Sequence, residues 1–242
     1  MTFEKWLNLI QPELKSIYEK MKKVELVDEP YYYQQDKAHV VELDPLSLSL
    51  FVEKHRGDDV ELANLVNASF VWWDDYPLNR DPYSLSMLVY KDEIFSNRQP
   101  NGFWEGEYKG LGAPTPTFII YKDGGVEVKL INNIKGVGKS VHLAVTIVET
   151  NPVVSAEGFW NYVPWSSIAY QANRIGIFYR KKDDKILLVY HPEIGINNFS
   201  VLADTLEVDF GGSLDSGGSA NFKVDGNDIN TTSRCMIAGL TW

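Results

Sequence analysis

A glycine-rich stretch near the carboxyl end, residues 211–228, holds the residue types best suited to chemistry. It reads G-G-S-L-D-S-G-G-S-A-N-F-K-V-D-G-N-D. Asp215 and Ser219 flank Gly217-Gly218, and paired glycines let a backbone come close to a ligand. The stretch could therefore be a shaped loop that presents one carboxylate to a substrate. The alternative, a plain structural loop, stays open at this point.

The residues after this loop argue against a flexible linker and predict a β-hairpin. Ala220, Phe222 and Val224 alternate with polar neighbours, which is the pattern of a strand. Asp225-Gly226 fits a two-residue type I′ turn, and Ile229 lies at the start of the return strand. The sequence thus predicts a tight loop from Gly211 to Ser219 followed by a hairpin.

The elements that must position the loop are mostly strands. From Ala38 onward, apolar residues recur with period two in runs such as V-H-L-A-V-T-I-V and R-I-G-I-F-Y. A short helix is predicted over 58–65, and residues 3–23 show the three- and four-residue apolar spacing of an amphipathic helix interrupted by Pro12. We predict an α+β fold: a β-rich domain of mixed or antiparallel sheet over 38–242 with a few helices, preceded by an N-terminal helical extension, 1–37.

Composition restricts the partners and the cellular setting. The chain has 242 residues, 44% of them hydrophobic, which is enough for a substantial core. A net charge of -10 and the lack of a basic patch argue against nucleic acid as a partner. The single cysteine, Cys235, excludes an internal disulfide, and neither a signal peptide nor a membrane-spanning run is recognisable. We expect a soluble protein without membrane partners that is cytoplasmic or incorporated into a larger particle.

Three other signals are weak. The segment K-G-V-G-K-S, residues 135–140, imitates the end of a phosphate-binding P-loop, but Asn133 stands where that motif needs glycine and a strand pattern follows. The histidines, His39, His55, His142 and His191, are too far apart for a familiar zinc motif. Cys235 precedes an apolar run and is expected to be a buried, inert thiol.

Aromatic residues suggest a carbohydrate ligand. Seven tryptophans and thirteen tyrosines are present, and several are bunched, as in Trp72-Trp73, Phe103-Trp104 and Phe159-Trp160. Core packing accounts for about half of such rings. Those beside Gly, Asn and Pro are typical of exposed loops, where flat rings stack on sugars and carboxylates or amides meet the hydroxyls.

Four stretches together resemble the phosphodiester glycosidase domain family. Residues 214–230, L-D-S-G-G-S-A-N-F-K-V-D-G-N-D-I-N, resemble its L-D-G-G-G-S motif, which is followed by a strand, a turn and an asparagine. The others are V-N-A-S-F at 66–70, T-N-P-V-V-S-A-E-G at 150–158 and S-R-C-M-I-A at 233–238. The resemblance covers roughly residues 38–242. Ser216 replaces a glycine of the motif, and the arginine of the family's R-T-A-I-G segment stands two positions later, at Arg174.

The resemblance implies hydrolysis of the glycosidic bond in a sugar-1-phosphodiester of the N-acetylglucosamine type. It implies Asp215 as the catalytic carboxylate, with Ser219 as its hydroxyl partner and Glu157 as a second carboxylate. The remaining assignments concern substrate binding: Gly217 and Gly218 amides facing an anion, Arg174 and Arg234 holding phosphate, and Asn67 bonding a sugar hydroxyl or N-acetyl group. No cofactor is expected, and a divalent cation at the acidic loop stays open.

Two alternatives to an enzyme follow from the same residues. The first is a module that binds a sugar-phosphate or cell-wall polymer without turnover, motivated by the replaced glycines and the displaced arginine. The second is a structural component that docks through its N-terminal helices into an oligomer or a particle such as a virion. A sugar-phosphate or other glycan is the expected partner both of the hydrolase and of the binding module.

Overall fold

The computed structural model of the chain is built mainly from strands of 2 to 10 residues. It describes residues 32–35, 37–56, 61–68, 71–72, 83–84, 87–97, 115–131, 134–149, 171–214, 216, 220–230 and 235–242. The first nine strands are β1 (Tyr32–Gln35), β2 (Ala38–Leu43), β3 (Ser49–Arg56), β4 (Leu65–Asn67), β5 (Val71–Trp72), β6 (Tyr83–Ser84), β7 (Met87–Tyr90), β8 (Glu93–Asn97) and β9 (Thr115–Tyr121). The later ones are β10 (Val126–Ile131), β11 (Val141–Thr146), β12 (Val148–Glu149), β13 (Ala172–Arg180), β14 (Lys185–Ile194), β15 (Phe210–Ser213), β16 (Phe222–Val224), β17 (Asn227–Asn230) and β18 (Cys235–Thr241).

These strands form three antiparallel sheets and one two-stranded ribbon. The first sheet has the order β1-β2-β14-β13-β15-β12, the second β10-β9-β11-β7-β8 and the third β17-β16-β4-β18-β3, while β5 pairs with β6. Partners are often distant in sequence: Leu187 on β14 lies opposite Glu42 on β2. Strand pairing therefore joins segments that are far apart in the sequence.

A cluster of buried apolar side chains, here called the central core, receives residues from all three sheets. Ile175 and Ile186 come from the first sheet, Phe118 from the second, and Val66 and Phe222 from the third. Each of these five side chains is fully buried. Because burial of apolar area is the main favourable term in folding, this shared core fixes the sheets relative to one another.

One α-helix is present within the described residues, α1 (Ile196–Thr205), and it covers the opposite face of the first sheet. Phe199, Leu202 and Leu206 recur at three- and four-residue steps and pack there with Phe178 of β13. The ring centroids of Phe178 and Phe199 are 5.7 Å apart. The spacing is that of an amphipathic helix. This helix was not predicted from the sequence.

The predicted α+β fold class is wrong: the described chain is mostly β, with one short helix. The helix predicted over 58–65 is wrong in its described part, because residues 61–64 are irregular and Leu65 begins β4. The Asn64 side chain accepts from Asp225 N at 2.8 Å and donates to Trp242 O at 3.1 Å, so long-range contacts hold this segment. Tertiary contacts of this kind override local helix propensity. The helices predicted within 3–23 lie outside the described residues, and β1, which precedes residue 38, pairs with β2.

The predicted hairpin is confirmed. Strands β16 and β17 pair antiparallel, and both turn residues have positive φ, 50° at Asp225 and 77° at Gly226, as a type I′ turn requires. The interpretation of K-G-V-G-K-S is also confirmed, because a 3-10 helix, Ile134–Val137, is followed by strand β11 where a P-loop would continue as a helix.

Candidate functional site

The entrance of the glycine-rich loop is tied to strand β13. Ser213 pairs with Gly176 at the end of the β13–β15 ladder. Leu214 N then donates to Ile175 O at 2.8 Å, and the Ser216 hydroxyl accepts from Ile175 N at 3.2 Å. Both backbone groups of Ile175 are thereby bonded to the loop entrance. The Ser216 hydroxyl also donates to Leu214 O at 2.8 Å, which closes a tight turn.

Ser216 stands where the resembled motif has glycine, and its side chain replaces a missing ladder bond on β13. The neighbouring Ser213 is buried, and its hydroxyl lies 3.0 Å from that of Ser216. The Ser213 hydroxyl is also within bonding distance of Ile175 O, at 3.1 Å. The two hydroxyls and the two backbone groups of Ile175 thus form one small network that holds the loop entrance in place.

The exit of the loop is tied to the third sheet. Asn67 N on β4 donates to Asn221 O at 3.1 Å, and Phe222 lies opposite Val66. Ala220 and Asn221 are both buried. The loop between residues 216 and 220 therefore crosses from the first sheet to the third, and its two ends are fixed by different sheets that share the central core.

Gly211 allows the strand that leads into the loop to approach β13 closely. A β-carbon at Gly211 would lie 2.3 Å from Ile177 O and 2.6 Å from the α-carbon of Phe178, and its φ is 153°. These contacts are with backbone, which cannot rotate away. Glycine is required here by space as well as by conformation.

Arg174 lies on β13 beside the loop entrance, opposite His191 on β14. Its Nε donates to Ile194 O at 3.3 Å, and burial lowers the pKa of its guanidinium. Side chains alternate along a strand, and Ile175 points into the central core, so Arg174 points to the other face of the first sheet. That face carries α1.

Asn67 is fully buried on β4, opposite Gly239 of β18. Its neighbours Val66 and Ala68 belong to the central core, so by the same alternation Asn67 points to the outer face of the third sheet. The structure thus places the Asn67 and Arg174 backbones at the two ends of the loop. Each side chain points away from the central core, to the outer face of its own sheet.

Six of the predicted site residues lie outside the described residues: Glu157, Asp215, Gly217, Gly218, Ser219 and Arg234. So do the aromatic segments Phe103-Trp104 and Phe159-Trp160. What the structure fixes are the attachment points, namely Leu214, Ser216 and Ala220 around the loop and Cys235 after Arg234.

Several polar residues beside the loop were not predicted to be part of the site. Asn230, at the end of β17, donates through Nδ2 to Ala220 O and accepts at Oδ1 from Asn173 Nδ2 at 3.4 Å. Asn221 is almost fully buried, although it occupies a polar position of an alternating strand. The signal available was the density of asparagines after the loop, in A-N-F-K-V-D-G-N-D-I-N.

Other polar groups of the described chain do not form a second obvious site. No group of three or more His, Cys, Asp or Glu side chains there is arranged to hold a metal ion. The Nε2 atom of His142 lies 2.8 Å from Leu48 O. Burial is the main cause that lowers the pKa of His39, and the charge of nearby His191 is a smaller one. A hollow of about 430 Å³ lies beside Lys135 and Lys139, and its described lining comes from residues 89–94 and 134–141. No helix in the described part is long and apolar enough to cross a bilayer.

Comparison with known proteins gives a relationship of fold. No family model matches the chain, and no curated protein matches it. Among solved structures, the zebrafish N-acetylglucosamine-1-phosphodiester alpha-N-acetylglucosaminidase catalytic domain, auto-inhibited by its pro-peptide, is similar with a TM-score of 0.61 and 13% identity. The match covers 87% of this chain and 80% of that domain.

Two further structures are less similar. A hypothetical protein from Synechocystis matches with a TM-score of 0.43 and 13% identity over 84% of this chain and 58% of its own. A putative exported protein from Burkholderia pseudomallei matches with 0.44 and 12% over 84% and 73%. The chain thus shares its fold, at a distance, with the catalytic domain of a phosphodiester glycosidase.

Proposed function

We propose that the protein is a hydrolase that cleaves the glycosidic bond of a sugar-1-phosphodiester of the N-acetylglucosamine type. The observation that carries the proposal is the attachment of the Asp215 loop: its entrance bonds both backbone groups of Ile175, and its exit bonds β4. Support also comes from the fold shared with the catalytic domain of an N-acetylglucosamine-1-phosphodiester alpha-N-acetylglucosaminidase. A catalytic group needs such a rigid frame, because small displacements cost rate.

In the proposed reaction, water attacks the anomeric carbon and the bond from that carbon to the phosphate oxygen breaks. The phosphate monoester departs with the electron pair of that bond, and Asp215 takes a proton from the attacking water. A phosphate leaving group is already anionic, so it needs little protonation. The site must instead stabilise negative charge, and the Gly217 and Gly218 amides with Ser219 are assigned to that task.

Phosphate and sugar binding are assigned to the remaining residues. Arg174 and Arg234 are proposed to hold the phosphate, since a guanidinium binds phosphate oxygens in pairs. Glu157 is proposed as a second carboxylate. Asn67 is fully buried and its backbone N–H holds Asn221, so its position suits support of the loop exit better than direct contact with a sugar.

The test is release of sugar from an α-N-acetylglucosamine-1-phosphodiester. The wild type is expected to release N-acetylglucosamine, and Asp215→Asn is expected to lower kcat by about 10²- to 10⁴-fold, the usual contribution of a general base. Asp123→Asn is the matched control, because Asp123 is exposed in a turn, where its side chain accepts from Gly125 N. Equal activity of Asp215→Asn and the control would refute the assigned carboxylate.

A second candidate is a module that binds sugar-phosphate without turnover. Arg174 favours it, because its Nε is bonded to Ile194 O and its side chain points to the face that carries α1. An arginine held in this way is less suited to follow charge that develops during a reaction. Calorimetry with a sugar-1-phosphodiester separates the candidates: binding without any sugar release supports the module.

A further inference from the structure

Asn230 connects the loop exit to the strand that holds the loop entrance. Its Nδ2 donates to Ala220 O, the first described backbone group after the loop. Its Oδ1 accepts from Asn173 Nδ2 at 3.4 Å, and Asn173 directly precedes Arg174 on β13. Asn230 is itself carried by β17, so its bonds join three segments of the chain.

The orientation of the Asn230 amide follows from its partners. A backbone carbonyl only accepts hydrogen bonds, so the NH₂ group must face Ala220 O. The carbonyl oxygen of the side chain then faces Asn173, which must present its own NH₂ group. The pair therefore has one chemically consistent arrangement, in which the Asn230 amide donates to Ala220 and accepts from Asn173 at once.

Strand β13 is thus connected by hydrogen bonds to both ends of the loop. Ile175 binds Leu214 and Ser216 at the entrance, and Asn173, two residues earlier, reaches the exit through Asn230. The exit also contacts the first sheet through an apolar pair: the Phe222 and Tyr190 rings are 5.7 Å apart. Such a ring contact limits distance, whereas a hydrogen bond also fixes direction.

We infer that Asn230 is a positioning residue, an amide latch that fixes Ala220 against β13, at the exit of the loop that carries the proposed catalytic groups. The inference rests on the proposed function. Asn230 acts through Ala220 and is assigned no contact with substrate. Loss of the latch removes the hydrogen bond that holds Ala220 O, while Asn221 keeps its bond to β4. A shift of about 1 Å at the loop exit can cost about a hundredfold in rate.

Asn230→Asp and Asn227→Asp form a matched pair. Both residues lie on β17, but Asn227 is exposed and the Asn230 side chain is half-buried. The introduced carboxylate at 230 can still accept from Asn173 and can no longer donate to Ala220 O. We expect kcat to fall at least tenfold in Asn230→Asp with KM within about threefold of wild type, and no change beyond twofold in Asn227→Asp.

The pH profile gives a signature that a general loss of stability would not. As pH falls, the introduced carboxyl gains a proton and can donate to Ala220 O, so the ratio of Asn230→Asp kcat to wild-type kcat is expected to rise. Asn173→Ala is the second variant, in case Asn230→Asp does not fold. It removes one of the two bonds, and its kcat is expected to lie between those of the wild type and Asn230→Asp.

Hydrogen exchange of residues 214–221 tests the latch independently of activity. Exchange is expected to be faster in Asn230→Asp than in Asn227→Asp. If the wild type releases sugar and the two variants do not differ in kcat, the latch is refuted and the proposed function stands. If the wild type releases none, the proposed function fails, and exchange decides: faster exchange in Asn230→Asp supports the latch, and equal exchange refutes it.

Discussion

The Ser216 hydroxyl accepts the backbone N–H of Ile175 at 3.2 Å, which makes a loop side chain the last rung of the β13 ladder. A glycine at this position, as in the resembled motif, would leave that N–H without its described partner. Ile175 is fully buried, so water cannot easily take the place of the hydroxyl. The Ser216 hydroxyl therefore contributes directly to the attachment of the loop entrance to β13.

Ser216→Ala is expected to lower the free energy of unfolding by about 1–3 kcal/mol, because it leaves the buried Ile175 N–H unpaired. Urea denaturation measures the change. The control is Ser140→Ala: Ser140 is exposed, and removal of its hydroxyl should change stability by less than about 0.5 kcal/mol. Equal effects of the two substitutions would contradict the structural role of the Ser216 hydroxyl.

Gly211→Ala is expected to destabilise the protein by about 3 kcal/mol or more, since the added carbon meets Ile177 O at 2.3 Å. Gly124→Ala is the control for backbone strain alone. Its φ is 88° and nothing lies within 4 Å of the added carbon, so about 1 kcal/mol is expected. Thermal or urea unfolding of both variants tests the difference, and a Gly211→Ala cost no greater than that of Gly124→Ala would disprove the close-approach argument.

Strands were predictable from the sequence where the pattern is local. Alternation in V-E-V-K-L-I and V-H-L-A-V-T marks β10 and β11, and Asp225-Gly226 marks the hairpin turn. The order of strands was not predictable, because β14 finds its partner β2 more than a hundred residues earlier. Helix α1 was missed although Phe199, Leu202 and Leu206 carry its period. The helix has only 10 residues and begins two residues after the end of strand β14. Its apolar periodicity is therefore repeated too few times to stand out in the sequence.

The site was predictable in one respect and not in another. The glycine-rich stretch indicates a tight loop ahead of a hairpin, and the hairpin is confirmed. The amide latch joins Asn173 and Asn230, which are 57 positions apart, and no local pattern links them. The Asn67 and Arg174 side chains both point away from the central core, and this orientation depends on strand register, which the order of residues along the chain does not reveal.

Acid stability is expected to depend on Asp183. Its hydrogen bond with the buried Arg180 holds the pKa of the Asp183 carboxyl below its ordinary value. A carboxyl whose pKa is lower in the folded state stabilises the protein above its unfolded pKa of about 4, and this contribution is lost as pH falls through the folded pKa. Unfolding measured from pH 6 to pH 2 should therefore decline less steeply in Asp183→Asn than in wild type. Parallel pH curves would contradict the linkage.

Arg174 can be tested for phosphate binding separately from its structural bond. Arg174→Gln removes the charge and keeps an N–H group that can donate to Ile194 O, whereas Arg174→Ala removes both. If Arg174 holds the phosphate, both variants should raise KM for the sugar-1-phosphodiester at least tenfold, and Arg174→Gln should melt near the wild type. Added salt should weaken substrate binding in the wild type more than in Arg174→Gln, because salt screens the attraction between the Arg174 guanidinium and the phosphate, which the variant lacks. An unchanged KM in both variants, with stability lost only in Arg174→Ala, would make Arg174 a support for the end of β14 and leave Arg234 as the assigned phosphate ligand.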